Sequence, residues 1–184
     1  QSGSRSILKR MARKTTPEEF RDLVNVARSR ISNLSITTDI IVGFPGETDD
    51  EFMESLAFIK EMNFSGGHVF RFSKREGTAA AGYPSQMRGP ILSERARLVR
   101  EALDLSENGF ILSQLGTEHK ILWESAKEIQ NGKWELEGYS ENYIRVRVLS
   151  DENRWNHVDN VCLQHIENGI VNGKLVNTGA GIDE

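Results

Sequence analysis

Between positions 20 and 31 apolar residues recur every three or four places, at Phe20, Leu23, Val24, Ala27 and Ile31, and this spacing predicts a helix with an inward stripe. Thr16-Pro17-Glu18-Glu19 supplies its start: threonine as cap, proline in the first turn, and a glutamate placed to reach back. The pattern then changes. Ser35 to Val42 ends in Ile40-Ile41-Val42, the apolar run of a parallel strand buried on both faces. Gly43-Phe44-Pro45-Gly46 reads as a turn, Thr48 and Glu51 as a second capping pair, and Phe52, Leu56, Ile59 and Met62 as the stripe of a helix beginning at Asp49. After Gly66-Gly67 a second strand is expected from His68 to Phe72. The order helix, strand, helix, strand predicts parallel strands joined by right-handed crossovers, as in a Rossmann-like sheet or a (β/α) barrel.

Residues 74–90 read as a linker, rich in glycine, proline and small polar residues, and 91–114 as a helix opened by Ser93 and carrying Ala96, Val99, Leu103 and Phe110. Beyond it the apolar period drops to two. Ile121/Trp123, Trp134/Leu136 and Ile144/Val146/Val148 predict short strands, with Asn131-Gly132 and Asn172-Gly173 as hairpin turns. The expected fold class is α/β plus all-β: an alternating domain over 1–114, a small antiparallel β-barrel over 115–178, and a disordered tail at 179–184.

Composition changes this picture little, since 38% hydrophobic and 27% charged residues in a chain of 184 are ordinary for a globular protein. No apolar run is long enough to span a bilayer and the first residues do not read as a leader, so a cytoplasmic protein without membrane association is expected. The net charge of -4 is uneven: residues 1–30 hold eight Lys/Arg against Glu18, Glu19 and Asp22, leaving a basic patch on an acidic chain. The one cysteine, Cys162, rules out an internal disulfide and cannot alone hold zinc or an iron-sulfur cluster; it is expected to be a small buried apolar residue. His119, His157 and His165 are scattered and receive no role.

Three segments carry candidate chemistry. Each has a plain structural reading as well: Gln1-Ser2-Gly3-Ser4 as a loose end, Gly43 to Thr48 as a strand-to-helix turn, and Phe70 to Thr78 as a polar loop. Together, in this order and spacing, they give a chain that resembles the C-terminal portion of the radical-SAM methylthiotransferases, the MiaB-like enzymes that add a methylthio group to a modified adenosine beside the tRNA anticodon. The resemblance rests on Gln1-Ser2-Gly3-Ser4 with Leu8 to Thr15, on Thr37 to Thr48, and on His68 to Thr78. The Thr-Thr-Asp and His-Val-Phe variants are most similar to the threonylcarbamoyladenosine subgroup.

That resemblance implies the last strands of a (β/α)6 partial TIM-like barrel followed by a TRAM β-barrel that binds RNA. It also implies that Gln1, Ser2 and Ser4 lie at the barrel mouth near S-adenosylmethionine, the serines offering hydroxyls. Val42 and Gly43 would pack beside its adenine, Phe72 and Ser73 would border the same pocket, Glu47 would steady the turn, and Arg75 would meet an anion of substrate or ligand. Family members hold a 4Fe-4S cluster on a CxxxCxxC loop after the first strand and a second cluster on an N-terminal domain. Neither is encoded here, so no catalytic or metal-binding residue is expected in this chain and it is expected to be inactive alone, the clusters belonging to the parent enzyme. Without the earlier strands, the strand through Ile40 would have an open edge and invite homo-oligomer formation.

The segment Tyr143-Ile144-Arg145-Val146-Arg147-Val148 alternates, which predicts Tyr143, Arg145 and Arg147 on one exposed face for stacking on bases and binding phosphates of tRNA. An ordinary half-buried strand reads the same way. A stand-alone RNA-binding module with a degenerate SAM-barrel scaffold is the alternative, and a Rossmann-like nucleotide binder ranks last because no glycine-rich loop follows a first strand.

Overall fold

Two short parallel strands organise the first of the two units, Gln1–Phe110 and Ile111 onward, of the computed structural model, which describes residues 1–176. The tail expected at 179–184 lies outside the described residues. Strand β1 (Thr37–Val42) pairs with β2 (Gly66–Arg71) from Thr37 opposite Gly66 to Val42 opposite Arg71. Helices α2 (Pro17–Arg30) and α3 (Asp49–Met62) both begin with full capping boxes, Thr16 with Glu19 and Thr48 with Glu51. Ahead of them stands α1 (Arg5–Arg10), too short at six residues for a helical period to show in the sequence. Helix α4 (Gly89–Gln114) starts four residues before Ser93, because Pro90 is tolerated in a first turn.

Alternation along β1 sends Ile40 and Val42 into a core with Val24, Phe52, Leu56, Ile59, Met62 and Phe64, which α4 closes with Ala96, Val99 and Leu103. Ile41 points the other way and is only half-buried, so β1 is not buried on both faces as its apolar run suggested. Leu23 and Ile31 likewise fall outside the stripe of α2 and are exposed.

The second unit is a closed barrel of β3 (Glu118–Glu128), β4 (Trp134–Ser140), β5 (Arg145–Ser150), β6 (Val158–Glu167) and β7 (Ile170–Leu175), in the order β3-β4-β5-β7-β6. It is not wholly antiparallel, because β5 and β7 run parallel where the barrel closes. Asn131 and Gly132 (φ 65° and 68°) do form the turn between β3 and β4. Asn172-Gly173, however, lies inside β7, and the turn falls at Asn168-Gly169, both at positive φ. The earlier Asn-Gly pair wins because it leaves Val171 on β7, opposite Ile166 and 2% exposed in the interior, where a turn at the later pair would remove it. Trp123, Ile121, Leu136, Val146, Val161 and Leu163 fill the rest. The Trp123 indole N–H donates to Asp159 Oδ2 at 2.7 Å, and Arg154 grips the same carboxylate at 2.6 Å on each oxygen. Cys162, between two interior residues, faces outward and is half-buried rather than part of the core.

Candidate functional site

The turn after β1 is built on a buried carboxylate. Gly43 adopts φ +73°, and its N–H donates to Glu47 Oε2 at 2.8 Å. Arg95 of α4, itself buried, donates to that same oxygen at 2.5 Å and to Asp49 Oδ1 at 2.6 Å, with its guanidinium 4.9 Å above the Phe52 ring. Burial pushes the Glu47 carboxyl above its ordinary value, while Arg95 and the Gly43 N–H pull the other way. A Cβ on Gly43 would lie 1.9 Å from Leu92 Cδ2, so the missing side chain makes room for α4. Val42 is also turned into the core; it acts on the site through its carbonyl, which accepts from the Phe72 N–H at 2.9 Å.

The opening serines are turned inward too. Ser4 is fully buried with its Oγ 3.0 Å from Ser6 Oγ, and Ser2 Oγ accepts from the Ser4 N–H at 3.1 Å while donating to Ser55 Oγ at 3.3 Å. These hydroxyls knit the segment to α3. Gln1 is exposed, and its carbonyl accepts from the Ile41 N–H at 2.9 Å along the free side of β1.

A cleft of about 660 Å³ opens at the ends of β1 and β2 and gathers Gln1, Phe72, Ser73 and Arg75. Its wall is aromatic: Phe44 stacks edge-to-face on Phe72 and on Tyr83, at 5.4 and 6.0 Å between centroids. Asp39, Arg10, Arg13, Arg71 and Thr78 complete the polar part of the lining. Sequence reasoning missed Tyr83, which lies in the linker, and Arg13, hidden in a basic run; Phe44 was visible only as part of its turn. At the border, Arg10 donates to Glu51 Oε2 at 2.7 Å and Ser6 Oγ to Glu51 Oε1 at 2.6 Å. Burial would raise the Glu51 carboxyl, but these two donors and the Thr48 N–H outweigh it and hold the group at about 2.

An apolar aromatic wall beside one exposed carboxylate suits an adenine nucleoside carrying a cationic group, so the residues present fit S-adenosylmethionine. An iron-sulfur cluster does not fit: the sequence has one cysteine, on a barrel strand, and no group of three or more metal-ligating side chains occurs among the described residues.

In the barrel, Arg145 and Arg147 face outward from β5 as expected, but both donate to Glu137, at 2.5 and 2.8 Å, and these bonds hold its carboxyl below the usual range. Tyr143 is not on that strand face. It occupies the preceding turn at φ +66°, 83% exposed, with its ring 6.5 Å from Tyr139. Cross-strand register lines up Val158, Leu122, Tyr139 and Arg145 in one outward row, a surface that no short sequence window reveals.

Residues 1–59 match the family model of the radical SAM superfamily. The chain is 40% identical over 146 residues to the threonylcarbamoyladenosine tRNA methylthiotransferase MtaB of Bacillus subtilis, covering 79% of this chain and 32% of that protein. Two proteins named tRNA-2-methylthio-N(6)-dimethylallyladenosine synthase are also similar. That of Acidothermus cellulolyticus is 46% identical over 59% of this chain and 22% of its own length. That of Ehrlichia chaffeensis is 38% identical over 69% and 29%. The chain thus spans about a third or less of the curated relatives it matches.

Proposed function

The chain belongs to the radical-SAM methylthiotransferase family, and we propose that it is the C-terminal part of an enzyme that methylthiolates a modified adenosine beside the anticodon of tRNA. Within it, residues 1–114 are the last strands of the (β/α)6 partial barrel and the closed β-barrel is a TRAM domain. The observation supporting this reading is the convergence of Gln1, from the first segment, with Phe72, Ser73 and Arg75, from the stretch after β2, on one aromatic-walled cleft at the strand ends. S-adenosylmethionine bound there supplies the methyl group and the adenosyl moiety. Phe44, Phe72 and Tyr83 would hold its adenine, Asp39 would counter its cationic group, and Gln1 and Ser73 would offer polar contacts. Ser2, Ser4, Val42 and Gly43 act one step back by fixing the backbone that carries these groups. The modified base is threonylcarbamoyladenosine, as in the name of the Bacillus subtilis relative.

The clusters of the parent enzyme need thiolates this chain does not encode, so we read it as catalytically silent alone while still competent to bind tRNA. A cytoplasmic location accompanies that partner, and no helix among the described residues is long and apolar enough to cross a membrane. Calorimetric titration of the chain with tRNA and, separately, with S-adenosylmethionine tests the proposal. Measurable tRNA affinity with weak or lost cofactor affinity is expected; failure to bind tRNA would overturn it. Anaerobic reconstitution with iron and sulfide should yield no cluster absorbance and no S-adenosylmethionine cleavage, and either signal would refute the silence of the isolated chain.

A further inference from the structure

We infer that Arg13, Arg71 and Arg75 form a phosphate-gripping rim that holds the backbone of an RNA strand across the mouth of the cleft. The inference rests on the tRNA reading above and names the residues that carry it. Eight of the chain's arginines are ion-paired with a carboxylate. Of the seven without such a pair among the described residues, three converge on this one cleft. Arg13 and Arg75 have no side-chain partner among the described residues, and Arg71 meets only the Ser93 hydroxyl, at 3.3 Å. All three are exposed. Three unpaired guanidinium groups against the one carboxylate of Asp39 leave the concave surface positive, which attracts a polyanion, and their planar forks suit phosphate oxygens.

The backbone is shaped to present them. Helix α1 ends in a Schellman motif: the Ala12 N–H donates to Lys9 O at 3.0 Å and the Arg13 N–H to Leu8 O at 2.9 Å, which puts Ala12 at φ +56°. Alanine at a site that favours glycine is held in this strained state, and the turn it makes aims Arg13 into the cleft. Arg71 closes β2, and Arg75 follows in the loop that the Phe72 N–H to Val42 carbonyl bond anchors. Three cations from two separate segments are more than one carboxylate of a small ligand requires. The barrel is the weaker phosphate site: from Ile111 to Val176 acidic residues outnumber basic ones, and Arg145 and Arg147 are already neutralised by Glu137.

The test is fluorescence anisotropy of a labelled anticodon stem-loop RNA with the whole chain over a series of salt concentrations. The variants are Arg13→Gln/Arg75→Gln and, as control, Arg30→Gln/Arg100→Gln, which removes two exposed arginines that lie outside the cleft and are not ion-paired. The cleft pair should weaken binding and flatten the slope of log K against log salt by about 0.7–0.9 per arginine removed, with the control slope unchanged. An unchanged slope in the cleft pair, or equal flattening in both pairs, would overturn the rim while leaving tRNA binding intact. No RNA binding by the unaltered chain would remove both the rim and the function on which it rests.

Discussion

Ala12 is the residue at which stability and presentation of a side chain diverge most plainly. Its φ of +56° costs an alanine about 1 kcal/mol relative to glycine, so Ala12→Gly should stabilise the first unit by about that amount in chemical denaturation. Glu51 makes a second prediction. Its folded pKa, about 2, lies below the ordinary 4.5, so its bonds to Arg10, Ser6 and Thr48 contribute stability that is complete above the ordinary value and is lost as pH falls toward 2. Denaturation curves from pH 6 downward should show that loss in the unaltered chain and a flatter profile in Glu51→Gln, which keeps the reach-back cap. The cap was legible because Thr48 and Glu51 are three residues apart. The Arg10 and Ser6 contacts were not, since they join residues more than forty positions apart and no local pattern records them.

At the scale of elements, the Glu47–Arg95 pair ties the turn between β1 and α3 to α4. Replacing Arg95 by leucine strands a buried carboxylate and should cost about 3–5 kcal/mol, a deficit that grows as pH rises because the stranded group escapes its charge by taking up a proton. The double change Arg95→Leu/Glu47→Gln should recover much of the loss, and a denaturant series at two pH values measures both effects. Elements with a clear period, α2, α3 and the strands around Ile121, Leu136 and Val146, were readable in the sequence. Element ends were less so, since α4 begins at Gly89-Pro90, a pair that looks like linker. Helix α1 has no full period, and β7 was obscured by two Asn-Gly pairs four residues apart, between which only barrel packing of Val171 decides. For the site, the motif turns located the strand ends, but which side chains faced the cleft depended on pleat and caps, and so Ser2, Ser4, Val42 and Gly43, four of the seven expected cofactor contacts, do not line it.

For the whole molecule, β1 and β2 form a two-stranded sheet, and β1's other edge borders a cavity of about 590 Å³ lined by Thr37, Thr38 and Asp39. Apart from the Ile41 N–H, which is bonded to the Gln1 carbonyl, that edge is a template for pairing. Light scattering across a concentration series should therefore detect dimers or larger species of this chain, and a mass fixed at the monomer value would count against pairing through that edge. The barrel places a different demand on the chain. Its closing strand, β7, is the last of the described strands in sequence yet is inserted between β5 and β6, so the ring cannot be completed until residues 170–175 have emerged from the ribosome. Synthesis thus leaves a nascent four-stranded β6-β3-β4-β5 sheet exposed until its final keystone arrives, and a chain interrupted before Ile170 would be a sticky open ribbon in place of a sealed domain.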